Sequence, residues 1–122
     1  MSVRSGAVIV RRPEGRAFVR AGAARQIVPE PPISRVPGSG LAMALVSGHV
    51  LGVLELGEPS GALIVCQPER EAFALSGLVI ERVGFYPVDE SGALVDGERI
   101  PELHVDRLLR QSASLSGPWR AP

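Results

Sequence analysis

The length of the apolar runs constrains this chain most. "AVIV" at 7–10, "LAMALV" at 41–46 and "ALIVC" at 62–66 are strand-length segments, each closed by Gly, Ser, Arg or a polar turn. Runs of four to eight residues bounded by turn residues fit half-buried or fully buried strands and fall short of the ten or more that a packed helix needs. With 14 Gly and 11 Pro spread along 122 residues, the breaks recur often enough to punctuate a whole domain. Eight or nine short strands at regular spacing predict an all-β sandwich or barrel.

"GAVIVRR" at 6–12 and "RAFVR" at 16–20 flank "PEG" and read as a hairpin. The alanines of 21–25 allow one helical turn before a short strand at Ile27-Val28 that Pro29 ends. "PEPPISRVPGSG" at 29–40 is stiffened by proline, which restricts its own φ and the residue before it. A second hairpin is expected over 41–56 around Ser47-Gly48, then a buried strand within 58–67, a turn leading into a short strand over 68–75, and a strand at 76–88, where alternation is imperfect. Turn signals at Ser91-Gly92 and Asp96-Gly97 frame Ala93–Val95 and a strand at 99–103. "VDRLLRQ" at 105–111 has the spacing of a short amphipathic helix with Val105, Leu108 and Leu109 inward. Residues 1–111 are expected to form one domain, and 112–122, with Trp119, a disordered tail.

Thirteen basic and thirteen acidic side chains cancel, which gives no reason to expect nucleic acid or an anionic membrane as partner. Every basic residue is Arg, and Lys, Asn and Thr are absent, a pattern of GC-rich coding that weakens any phosphate-binding argument from the Arg count. No run approaches the roughly 20 apolar residues that span a bilayer, and the N-terminal stretch lacks a signal-peptide core. A cytoplasmic protein is expected, in keeping with a single Cys66 that has no disulfide partner.

Reaction chemistry is not in view. His49 and His104 have no Cys, Asp or Glu at ligand spacing, Cys66 sits in an apolar strand, and Ser60, Ser76 and Ser91 precede glycine in turns without a Gly-X-Ser-X-Gly elbow. No phosphate-cradling glycine loop occurs, and neither a metal nor a cofactor is expected. Arg12 and Arg16 make an RxxxR pair that is similar to part of the nucleotide-binding PilZ signature, but the DxSxxG that should accompany it ends on Leu94. An enzyme is not expected.

The stretch 24–56, with Pro37-Gly38, Gly48, Val50-Leu51-Gly52-Val53 and Glu55-Leu56, resembles the CheW family of chemosensory coupling proteins in order and spacing. "GALIVCQPEREAFALSGLVIERVG" and "DGERIPELHVDRLL" are similar to that family's later strands and its closing hairpin and helix. The resemblance implies two small intertwined five-stranded β-barrels, the second truncated, with a short C-terminal helix. It also implies a scaffold that binds the cytoplasmic tip of methyl-accepting chemoreceptors and the regulatory domain of a CheA-type histidine kinase. Carried onto this sequence, the partner groove would comprise Ala24, Gln26, Ile27, Val46, Ser47, Gly48 and His49.

The chain departs from the family pattern at Leu45 and Ser47, where the family's turn carries Asn and Arg, at Gln26, where it often has Glu, and in a missing strand pair between Val88 and Gly97. Charged interface partners set specificity and orientation, so their loss implies an altered partner set. From the residues alone, a small β-barrel structural or adaptor subunit of an unrelated system, pairing through an exposed strand edge, is the alternative.

Overall fold

A computed structural model, which describes residues 3–36, 41–58, 60–67 and 71–115, contains eleven strands and one helix. The strands are β1 (Val3–Arg12), β2 (Gly15–Arg20), β3 (Ala24–Pro29), β4 (Ser34–Val36), β5 (Leu41–Val46), β6 (His49–Glu55), β7 (Ala62–Cys66), β8 (Phe73–Ser76), β9 (Val79–Asp89), β10 (Gly92–Val95) and β11 (Glu98–Ile100), followed by helix α1 (Val105–Leu115). They form a five-stranded sheet, β11-β10-β9-β1-β2, and a six-stranded one, β3-β7-β8-β6-β5-β4, each curled into a half-barrel. The chain starts in the first sheet, builds all of the second, and returns to complete the first, which is the intertwining that the resemblance to CheW implies.

The apolar runs at 7–10 and 62–66 fail to alternate because both faces of their strands are covered. In β1, Val8 and Val10 face the space between the sheets while Ala7 and Ile9 face the interior of the first half-barrel. In β7, Ile64 and Cys66 face the inter-sheet space and Leu63 and Val65 the interior of the second. Three apolar layers result: one inside each half-barrel, and between them a seam of Val8, Val10, Ala17, Val19, Ile64, Cys66, Phe73 and Leu75, onto which α1 packs Leu108 and Leu109. Full burial of a side chain such as Phe18 stabilises by about 3 kcal/mol, and it occupies the first half-barrel's interior with no solvent exposure.

Closure of the first half-barrel comes from the strap at 101–103. The Phe18 amide donates to the Pro101 carbonyl at 3.0 Å and the Leu103 amide to the Phe18 carbonyl at 2.8 Å, so the outer edge of β2 is covered. Arg20 Nε donates to Glu102 Oε2 at 2.9 Å on the same edge.

Four expectations are corrected. The helical turn at 21–25 is a tight turn, with the Ala23 amide bonded to the Arg20 carbonyl at 2.9 Å, and β3 begins at Ala24, since pairing with β7 outweighs alanine's helix preference. The proline-rich segment contains a strand, β4, where Ser34, Arg35 and Val36 lie free of proline and pair with Met43, Ala42 and Leu41. That strand makes the second sheet six-stranded instead of five. The strand expected at 99–103 stops at Ile100, where Pro101 begins the strap, and α1 runs to Leu115, beyond 111. Pro37-Gly38 and Trp119 lie outside the described residues.

Candidate functional site

The β5–β6 hairpin projects as a two-stranded finger. Pairing of β6 with β8 begins only at Gly52, and β4 pairs with β5 only as far as Met43, so Ala44–Leu51 pair with each other alone among the described residues. Ser47 (φ 50°) and Gly48 (φ 81°) both take positive φ, the geometry of a type I′ turn whose twist matches the flanking strands. On the inner side Ala44, Val46 and Leu51 pack into the second half-barrel. On the outer side Leu45 and Val50, directly opposed in register, are 63% and 67% exposed. An apolar pair so placed gains nothing from folding, and exposed apolar patches of this kind mark contact surfaces.

The sequence-derived residues therefore separate. Ser47, Gly48 and His49 form the exposed finger tip, while Val46 is 8% exposed and turned inward. Ala24, Gln26 and Ile27 lie on β3, the opposite edge of the same sheet, with β7 and β8 in between. There Gln26 is exposed, Ile27 is 40% exposed, and Ala24 is half-buried against the inter-sheet seam. Leu45 and Val50, the apolar pair on the finger's outer face, were missed as site residues. In "LAMALVSGHVL" the hairpin register sends them to the face opposite Ala44 and Leu51, and the rest of the sheet decides which of the two faces is buried.

A second exposed apolar surface lies on β9, where Val83 and Phe85 are 62% and 69% exposed. Both point to the seam side of the five-stranded sheet, opposite Val8 and Gly6 of β1. Beside Phe85 an open groove of about 650 Å³ is bordered by Arg4, Arg20, Glu102 and Asp106, two positive and two negative side chains.

The tempting chemistry is accounted for by structure. Burial pushes the Cys66 thiol up to about 12, far from a reactive thiolate. Ser60 Oγ donates to the Leu78 carbonyl at 2.8 Å, Ser76 is buried, and Ser91 Oγ donates to Asp89 Oδ1 at 2.6 Å. That hydroxyl, followed by the Ser91 amide and the Arg99 guanidinium, holds the Asp89 carboxyl below the usual carboxylate range. Arg12 and Arg16 cannot clamp one ligand. In the β1–β2 register Arg16 lies opposite Arg11 and Arg12 opposite Gly15, so the two guanidinium groups leave opposite faces, and Arg16 is engaged by Glu81 at 3.0 Å and Glu98 at 3.2 Å. Among the described residues no group of three or more His, Cys, Asp or Glu could hold a metal ion, and no helix is long and apolar enough to cross a membrane.

No protein-family model matches the chain, and no curated protein matches it in sequence. Its architecture does match solved structures. The scaffolding protein CheW of Thermoanaerobacter tengcongensis superposes with a TM-score of 0.69 over 87% of this chain and 88% of that one, at 14% sequence identity. Two interleaved half-barrels, a shared apolar seam and a closing helix thus place this chain in the CheW fold.

Proposed function

We propose that this chain is a non-enzymatic adaptor of a bacterial chemosensory pathway, acting in the cytoplasm at receptor arrays. The β5–β6 finger receives the cytoplasmic tip of a methyl-accepting chemoreceptor, with Ile27 on β3 as an outlying contact. The observation that carries this reading is the exposed Leu45–Val50 pair, held out from a sheet of the CheW fold by a hairpin whose other face is buried in the core. A surface with no partner among the described residues and a rigid backing is suited to recognition, not turnover.

The departures from the family pattern support an altered mode of binding. With Leu45 and Ser47 where the family's turn carries Asn and Arg, recognition rests on apolar contact instead of charge, and binding of a CheA-type kinase regulatory domain is correspondingly weakened. Pull-down and titration against receptor cytoplasmic fragments and kinase regulatory domains test this. Binding to the receptor fragment, reduced about tenfold or more by Leu45→Glu with the circular dichroism spectrum unchanged, is expected. Binding to neither class would overturn the reading, and wild-type affinity in Leu45→Glu would remove the finger from the site.

A further inference from the structure

We infer that β9 is a self-pairing edge, through which two copies of this chain join by antiparallel strand addition about a two-fold axis at Gly84. This does not rest on the proposed adaptor role.

The geometry starts from hydrogen-bond phase. In an antiparallel sheet a residue directs its amide and carbonyl to the same side, and successive residues alternate. The Ala21 amide donates to the Gly6 carbonyl at 3.0 Å, so Gly6 directs its backbone groups toward β2. Phe85, opposite Gly6 across the other edge of β1, is then unbonded to β1 and directs its amide and carbonyl outward, and Val83, opposite Val8, does the same. An independent contact agrees: the Phe85 carbonyl accepts a hydrogen bond from Arg4 Nη2 at 3.0 Å, which a carbonyl engaged in the β1–β9 ladder would not offer so readily. That carbonyl keeps a second lone pair for an incoming amide.

No strand among the described residues pairs with this outer edge, although Arg4 Nη2 bonds the Phe85 carbonyl and Asp96 of the β10–β11 turn pairs with the Arg82 side chain. β10 meets β9 only at Asp89 and Val88 before curling away, which leaves Val79–Pro87 paired on one side only. An unpaired edge carrying apolar side chains is a template for another strand, and natural proteins blunt such edges. Here the blunting devices sit at the two ends. Pro87 has no amide to donate, and the register shift in the β1–β9 pairing places an irregularity at Glu81, between Arg82 and Ile80. The pairable stretch is therefore residues 82–86, whose centre is Gly84.

A two-fold axis at Gly84 makes that stretch its own complement. Val83 of one copy lies opposite Phe85 of the other, and the outward amide and carbonyl of each meet those of its opposite, giving four hydrogen bonds for one repeated register. The same operation sets the exposed Val83 and Phe85 side chains of both copies on one face as a continuous apolar strip. Zero net charge on the chain leaves no long-range repulsion between copies. Five paired residues bury less than a standard interface, so the dimer is weak and concentration-dependent.

Sedimentation of the full chain over a concentration series, with amide hydrogen exchange in parallel, tests this. Self-association is expected, with protection of the Val83 and Phe85 amides rising with concentration. Val83→Lys and Phe85→Glu should each weaken it about tenfold or more, both sites being exposed and outside the core. The double variant should regain association, because the Gly84-centred register sets Lys opposite Glu. A wild-type monomer at the highest soluble concentration overturns the proposal. So does protection of both amides in the dilute monomer, a dimer insensitive to the single variants, or a double variant that stays monomeric. Capture of an extended synthetic peptide by a chain that does not self-associate would assign the edge to a foreign strand and equally overturn it.

Discussion

The β5–β6 finger and β9 both expose apolar side chains, yet they offer a partner different chemistry. In the finger, Leu45 and Val50 stand on two strands that satisfy each other, and the free edges beside them, 44–46 and 49–51, are three residues long. On β9 the exposed pair Val83 and Phe85 stands on one strand whose edge from Val79 to Pro87 is unpaired by any strand among the described residues. Side chains alone give a surface that reads shape and polarity. An open edge adds a row of backbone donors and acceptors that accepts any strand of matching register. Apolar exposure by itself therefore does not define a site; pairing of the backbone beneath it decides what can bind.

Both regions depend on one joint, so the largest effect comes from breaking it. Gly77 links β8 of one sheet to β9 of the other and has φ +83°; a Cβ there would lie 2.3 Å from the Gly57 amide nitrogen. The obstruction is backbone at the crossing where the chain also leaves β6, so no side chain can swing aside. Gly77→Ala should cost about 4 kcal/mol or more, measured by denaturant unfolding, and both exposed surfaces should be lost together. A near-wild-type midpoint would mean that the two sheets do not depend on this crossing.

Next in size is a change on the finger's side alone. Val53, 8% exposed, lies in the second half-barrel's interior with Leu51 and Ala44. Val53→Asp places a carboxylate there without a partner and should cost about 3 kcal/mol, with the β5–β6 amides losing exchange protection before those of β1 and β2. Simultaneous loss in both sheets would show that the seam, not the individual half-barrel, sets the unit of cooperativity.

Much of this organisation was legible in the sequence. The hairpins at 6–20 and 41–56 followed from apolar runs around turn residues, and the all-β class from their lengths. The resemblance to CheW over 24–56 anticipated the fold. What stayed hidden depends on partners distant in the chain. Nothing local tells that Arg35 pairs opposite Ala42 to make β4, or that β6 and β8 lie parallel as neighbours. Likewise, Val46 and Leu45 are equally apolar in the sequence; only the buried inner layer decides that one packs inward and the other faces solvent. The outward phase of β9 needed the Ala21–Gly6 hydrogen bond, a contact between residues of a hairpin that β9 itself does not belong to.

A smaller effect on stability separates the finger from the core beneath it. Val50→Glu changes a side chain that is two-thirds exposed, so the unfolding free energy should change by no more than about 0.5 kcal/mol while receptor-fragment binding falls about tenfold. Under the same change β9-mediated association should be unaffected, because the two surfaces belong to different sheets. Loss of self-association in Val50→Glu would merge the two surfaces into one.

The smallest effect concerns the ion pairs that span the gap beside β9. Arg82 on β9 is paired with Asp96 in the β10–β11 turn, and Arg16 of β2 approaches the same carboxylate at 3.6 Å. The hydrogen bond from Arg82, helped by the charges of Arg82 and Arg16, holds the Asp96 carboxyl below its ordinary range. A carboxyl depressed in the folded state contributes stability that is present above its unfolded value of about 3.9 and is lost as pH falls through the lower, folded value. The contribution should therefore be constant at neutral pH and fade only in acid, below about pH 4. Because these groups are exposed to solvent, salt should reduce it as well. Asp96→Asn is expected to leave the neutral-pH fold intact, flatten that part of the acid-unfolding profile, and speed exchange of the β10 and β11 amides. If the β10–β11 hairpin exchanges no faster in Asp96→Asn, its position on the first half-barrel is fixed by the buried Ala93, Val95 and Ile100 alone.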